Sequence, residues 1–220
     1  MDNKKLFIAN WKSNKTSQEA VEWLKIFKDN LVKINLEDKE IIVCPSFIAL
    51  SSCYSFIKEN NLPIKLGVQN ISKFGDGPYT GEVNVRQAKE YVEYVLIGHS
   101  ERRKYFFETD QDIEEKTRLA KEIGLKTIIC VQNENTNIPQ LSEIVAYEPE
   151  SAIGTGNPED PQNVADIVSN IHSRTGKDIF LYGGSVNEEN AQSFLEAPMI
   201  SGLLVGTASL DPYTYIKLLL

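Results

Sequence analysis

The side chains of this sequence with the clearest chemical potential are Asn10, Lys12, His99 and Glu148. A lysine can balance anionic charge, an imidazole can donate a hydrogen bond to an oxygen, and a carboxylate can remove a proton. Such a set needs no metal and no cofactor. Glycines near Gly154, Gly183 and Gly206 would let backbone N–H groups approach an anion closely. Each residue also has a plainer reading. Taken alone, Lys12 is a solvated loop lysine, His99 a structural histidine after a strand, Glu148 a strand end before Pro149, and Gly183-Gly184 an ordinary turn. His172 is far from His99 in the chain and falls on a predicted helix.

Positioning such a set requires a scaffold, and short apolar runs supply its outline. Strands are predicted over 5–10, 40–44, 64–69, 94–98, 126–131, 143–148, 178–182 and 202–205. Most are continuously apolar, as strands buried on both faces should be. Helical patterns lie between them. Over 17–30, Val21, Leu24 and Phe27 recur at helical spacing, with Ser17 as the expected N-cap. Stretches 110–122, 161–175 and 188–195 read likewise, with Gly124 and Gly176 as C-terminal stops.

Eight strands alternating with helices point to an α/β chain folded as a single (β/α)8 barrel over residues 1–220, at the short end of the usual ~250-residue size. A doubly wound open sheet is the alternative. In such a barrel the strand C-termini carry function, and Asn10, Lys12, His99 and Glu148 all stand there. One connection is irregular. Gln132 to Ser142 holds a turn-like Asn-Glu-Asn-Thr-Asn-Ile-Pro, so the helix after the fifth strand is expected to be shortened or missing. The barrel is then expected to be less shielded near Cys130 and Ile144.

The balance of charge excludes some functions. A net charge of −8 argues against nucleic acid, which demands a basic surface. No apolar run is long enough to span a membrane. The start of the chain shows no secretory h-region, and three cysteines lack ligand spacing, so a cytoplasmic chain with reduced thiols is expected. A phosphorylated substrate would have to be drawn in by a local field opposing the overall charge.

The motifs fall in a recognisable order. Ile8-Ala9-Asn10-Trp11-Lys12, Gly98-His99-Ser100-Glu101-Arg102-Arg103, Ala146-Tyr147-Glu148-Pro149 with Ala152-Ile153-Gly154-Thr155-Gly156, Tyr182-Gly183-Gly184-Ser185, and Val205-Gly206-Thr207-Ala208-Ser209 together resemble the triosephosphate isomerases. The resemblance runs from Ile8 to Leu210, and its Gly-His-Ser-Glu-Arg-Arg segment is the most specific part. It implies a cofactor-free, metal-free isomerase that interconverts dihydroxyacetone phosphate and D-glyceraldehyde 3-phosphate through an enediolate, in glycolysis and gluconeogenesis. Glu148 is implied as the base. His99, Lys12 and Asn10 would stabilise the enediolate, Glu101 would hold Lys12, and Ser100 would receive the Glu148 carboxylate before loop closure. Backbone donors around Gly154, Ser185, Gly206 and Thr207 would bind the phosphate. A homodimer through the Gln69 to Glu82 loop is implied as well, with Thr80 reaching the partner's Asn10 to Lys12 region.

His99 stands just before an expected helix start, where the positive dipole end favours a neutral imidazole; triosephosphate isomerase is a standard illustration of that effect. Three departures from the family pattern are visible. Thr207 stands where glycine is common, Gln132-Asn133 replaces Gly-Glu, and Glu150-Ser151 replaces a Val-Trp hinge, which suggests a hinge built on polar contacts. Two other readings stay open: a non-catalytic sugar-phosphate-binding barrel, and a Schiff-base aldolase, which needs a desolvated lysine at a strand end.

Overall fold

The computed structural model describes residues 4–149, 151–152 and 156–220. Gly154 and Glu150, both singled out from the sequence, lie outside the described residues. Eight strands, β1 (Lys5–Asn10), β2 (Lys39–Cys44), β3 (Ile64–Val68), β4 (Tyr94–Ile97), β5 (Lys126–Val131), β6 (Ile144–Tyr147), β7 (Ile179–Tyr182) and β8 (Ile200–Val205), pair in chain order. β8 returns to β1 and closes the barrel. Every pairing is parallel, so all eight C-terminal ends open at one mouth. This is the (β/α)8 barrel the strand count predicts.

The alternating side chains sort into two cores. Ile8, Ile42, Leu96, Ile128, Cys130, Ile144, Leu181 and Leu204 fill the barrel interior. Their neighbours Phe7, Ala9, Ile41, Val43, Ile97, Ile129, Val145 and Phe180 face outward into a second layer under the helices. That two-sided burial explains why the strands read as continuous apolar runs. At the β1–β8 seam Leu6 pairs with Gly202, and a Cβ there would lie 2.0 Å from the Leu6 carbonyl oxygen. Only glycine lets the barrel close at that point.

The helices are α1 (Ser17–Asn30), α2 (Phe47–Glu59), α3 (Val85–Lys89), α4 (Ser100–Phe106), α5 (Asp110–Glu122), α6 (Pro161–Thr175), α7 (Ala191–Glu196) and α8 (Pro212–Lys217). The N-cap of α1 is Thr16 rather than Ser17. Thr16 and Glu19 form a reciprocal capping box, which satisfies two otherwise orphaned N–H groups. The buried stripe of α1 is Ala20, Trp23, Leu24 and Phe27, with Val21 only half-buried. α7 starts three residues later than expected because Asn187 Oδ1 accepts the N–H groups of Glu189 at 2.9 Å and Asn190 at 3.1 Å. That local turn competes with the helix. None of the described helices is long and apolar enough to cross a membrane.

Between β5 and β6 the chain forms turns and no helix, as its composition indicates. The expected opening in the wall is not there. Cys130 and Ile144 point into the barrel and are 0 % and 3 % exposed, and the outward-facing Ile129, Val131 and Val145 are fully buried. Ile138 of the connection joins the outer core. Its backbone is fastened to α6 and the residues after it. Arg174 donates to the carbonyls of Glu134 and Thr136 at 2.8 and 2.9 Å, and Lys177 to those of Gln140 and Ser142 at 2.7 and 2.8 Å. An irregular segment thus covers the strands where a helix normally would.

Candidate active site

β1 delivers Asn10 to the mouth, where it is 4 % exposed. Two residues on, Lys12 takes a left-handed backbone with φ 52°. Such a conformation costs an L-residue about 1–2 kcal/mol and is held by its surroundings. Asn10 Oδ1 accepts the Lys12 N–H at 3.1 Å, and the Gln69 amide donates to the Lys12 carbonyl at 2.9 Å. The turn aims the Lys12 ammonium at Glu101, with Nζ to Oε1 at 2.6 Å. Glu101 lies in the first turn of α4.

His99 is the N-cap of α4, and its Nδ1 accepts the Glu101 N–H at 3.2 Å. A backbone donor at Nδ1 leaves Nε2 as the protonated nitrogen of the neutral ring. Nε2 lies 3.1 Å from Glu148 Oε1. His99 Nε2 and Glu148 Oε2 are both buried without a hydrogen-bond partner among the described residues. Buried polar atoms are rarely left so in native structures. Here one donor and one acceptor converge beside an ammonium group.

The electrostatics of the pair differ from the sequence expectation. Burial pushes the His99 pKa down, yet the carboxylates of Glu148 and Glu101 outweigh it and hold the value above that of an ordinary histidine. Burial pushes Glu148 up, but His99, the Cys130 thiol and Lys12 hold it below the usual carboxylate range. The α4 terminus does act on Nδ1 as expected. The opposing pull of Glu148 depends on a contact that the sequence does not reveal.

A cavity of about 280 Å3 is lined by Asn10, Lys12, Gln69, His99 and Glu101, among others. Glu148 stands behind His99 and is 3 % exposed. Ser100, half-buried at the first position of α4, makes no hydrogen bond to Glu148, which faces His99 and Cys130. Gly206 passes beside Lys12, since a Cβ there would lie 3.4 Å from its Cε. Thr207 opens a short 3-10 turn, Thr207–Ser209, and is exposed. Ser185 has φ 51°; its hydroxyl bonds the Ala152 carbonyl and accepts the Gly156 N–H at 3.2 Å.

Three contributors have parts other than those read from the sequence. Gln69 figured as a strand end and loop boundary, and Cys130 as a reduced thiol and a barrel position expected to be less shielded. Gly183 figured as a phosphate-facing glycine, whereas a Cβ there would meet Glu148 Cγ at 2.8 Å. Its missing side chain makes room for the carboxylate.

The triosephosphate isomerase family model matches residues 5–220. The chain is 35 % identical to the triosephosphate isomerase of Aquifex aeolicus, with 98 % of each chain covered. It is 37 % identical to that of Dehalococcoides mccartyi, covering 97 % of this chain and 94 % of the relative. This chain belongs to the triosephosphate isomerase family. Membership together with the closed barrel rules out the doubly wound alternative. The match is nearly end to end, so Gln132-Asn133 and Thr207 lie within the part of the chain that the family model covers.

Proposed function

We propose that this chain is an intramolecular aldose–ketose isomerase that interconverts dihydroxyacetone phosphate and D-glyceraldehyde 3-phosphate, the step its family contributes to glycolysis and gluconeogenesis. The observation that carries the reading is the buried juxtaposition of His99 Nε2 and the Glu148 carboxylate, 3.1 Å apart at Oε1 and close to the Lys12–Glu101 pair. His99 Nε2 and Glu148 Oε2 lack a hydrogen-bond partner among the described residues. In this reading the Glu148 carboxylate takes a proton from the carbon next to the carbonyl and returns it to the neighbouring carbon. His99 Nε2–H, the Lys12 ammonium and the Asn10 amide stabilise the charge that develops on the enediolate oxygens. Glu101 holds Lys12, and Ser100 receives Glu148 when the site opens. Backbone donors at Gly154, Ser185, Gly206 and Thr207 take the phosphate dianion, which answers the problem set by the negative net charge.

A homodimer in the cytoplasm completes the proposal. The three cysteines are free and buried, which suits a reducing compartment. Phe74 and Tyr79 of the loop 69–82 stack at 4.2 Å yet are 40 % and 39 % exposed. Ile48 and Phe106 are exposed as well, an apolar surface that suits a second copy. Sedimentation at micromolar concentration should give a dimer; a fully active monomer would refute that part. A coupled assay for glyceraldehyde 3-phosphate isomerisation should show activity without added cofactor and unchanged by a chelator. Absence of isomerisation in folded protein would overturn the reading.

A further inference from the structure

Two buried tyrosines, Tyr147 at the end of β6 and Tyr182 at the end of β7, lie with ring centroids 6.4 Å apart. Both phenols end on one residue, Glu159. The Tyr147 hydroxyl donates to Glu159 Oε2 at 2.9 Å, and the Glu159 backbone N–H donates to the Tyr182 hydroxyl at 3.0 Å. Burial, with Glu159 adding to it, pushes the Tyr147 phenol well above its ordinary pKa, so it stays a donor.

The placement of these bonds gives them a use. Tyr147 is the residue before Glu148, and Glu159 follows the described loop residues Gly156–Pro158. Pro158 and Pro161 stiffen the backbone on either side of Glu159, and Asp160 caps α6 by accepting the Gln162 N–H at 2.8 Å. A tether on Glu159 therefore fixes the end of the loop to a rigid helix start. Upstream, Gly156 is already bonded to Ser185 at 3.2 Å.

We propose that Glu159 is a positioning residue for the isomerase site through its side chain: its carboxylate, accepting from Tyr147, pins the returning loop to the strand end that carries Glu148. The competing account is that Glu159 is an acidic residue beside the N-terminus of α6, where a negative charge is favourable whatever Tyr147 does. The two accounts differ over Glu159→Gln, which removes the charge but keeps a carbonyl acceptor for the phenol.

The inference rests on the isomerase reading for its kinetic consequence only, so the test has two arms. Amide exchange by NMR at Gly156 and Glu159 needs no turnover. Tyr147→Phe and Glu159→Ala should each speed exchange there about tenfold, the double variant should be no faster than either alone, and Glu159→Gln should match the parent. In steady-state kinetics, Tyr147→Phe and Glu159→Ala should lower kcat several-fold and raise the share of turnovers that release inorganic phosphate, with Glu159→Gln restoring both. Tyr147→Phe keeps the buried ring, so its fold is retained. Additive effects of the two single variants would overturn the proposal. So would a Glu159→Gln variant that behaves like Glu159→Ala while Tyr147→Phe behaves like the parent.

Discussion

His99 Nε2 and Glu148 Oε1 stand 3.1 Å apart at the barrel mouth, buried and not hydrogen-bonded. A carboxylate held this closely works only over a short reach. Glu148→Asp keeps the charge and draws it back by one methylene. A displacement of about 1 Å can cost roughly 10²-fold in rate, so kcat should fall by that order with little change in KM. An unchanged kcat would remove Glu148 from the role of base.

The same carboxylate makes a prediction about a residue with no side chain. A Cβ on Gly183 would lie 2.8 Å from Glu148 Cγ, too close for both to keep their places. Gly183→Ala should displace Glu148 and lower kcat by one to two orders of magnitude, on the scale of a misplacement of about 1 Å. The far-ultraviolet circular dichroism should stay that of the parent. Parental kcat in this variant would show that Glu148 has room to spare.

These two cases mark how far the sequence could be read. Glu148, His99 and Lys12 were legible as candidates because each follows within two residues a strand that reads as an apolar run. The burial facing Glu148 was not. Cys130 comes from β5 and Gly183 from just past β7, and no pattern in the sequence tells that the two strands flanking β6 put a thiol and a missing side chain against this carboxylate. Among the elements, β1, β5, α1, α5 and α6 have the limits their patterns suggest. α2 escaped because Phe47–Glu59 is apolar on several sides, so no clear stripe marks it, and Ser46 before it gave too little of a start signal by itself. The cover over β5 and β6 escaped for a different reason. It is made by backbone carbonyls meeting Arg174 and Lys177, and carbonyls leave no trace in a sequence.

Phe107 ends α4 in the left-handed region, with φ 53° and 81 % exposure. That backbone costs an L-residue about 1–2 kcal/mol, and glycine returns roughly 0.5–1 kcal/mol of that through its freer unfolded chain. The ring buries little in compensation. Phe107→Gly should therefore stabilise the protein by about 0.5–1 kcal/mol, raising Tm by roughly 1–4 °C at this chain length. A fall in Tm on calorimetry would mean that the ring is covered in the assembled protein.

Asp112 links two parts of the molecule. Its carboxylate takes the Lys73 ammonium from the loop 69–82 at 2.6 Å and caps α5 with Thr109. The Lys73 bond, with the Thr109 N–H and hydroxyl, outweighs burial and lowers its pKa to about 2. A depressed carboxylate stabilises the fold above its unfolded pKa of about 3.9 and loses that contribution as pH falls through the folded value. Carbon-detected NMR should place the Asp112 midpoint near 2. The stability deficit of Asp112→Asn should be constant above about pH 4 and shrink below it. A midpoint near 4 would show that Lys73 does not hold the carboxylate in solution.

The connection between β5 and β6 gives the last prediction. Since Ile129, Val131 and Val145 are fully buried, amides in β5 and β6 should exchange as slowly as those in β4. What keeps the cover in place is side chains on and just after α6. Arg174 holds two carbonyls, Lys177 two more, and Asn170 donates to Glu134 Oε2 at 2.7 Å. Arg174 is the one that grips the middle of the turn from outside. Within the turn, the Thr136 N–H donates to the Asn133 carbonyl at 3.2 Å, Thr136 Oγ1 accepts the Gln132 and Asn133 N–H groups at 3.3 and 3.2 Å, and Asn133 Oδ1 accepts the Asn135 N–H at 2.9 Å. Arg174→Ala removes two charge-assisted bonds near the surface, at a cost of about 1 kcal/mol. The first amides to exchange faster should be those of 133–137, followed more weakly by β6, with β4 unaffected. If all three strands keep parental exchange in this variant, Ile138 alone seals the wall and the basic residues only decorate it.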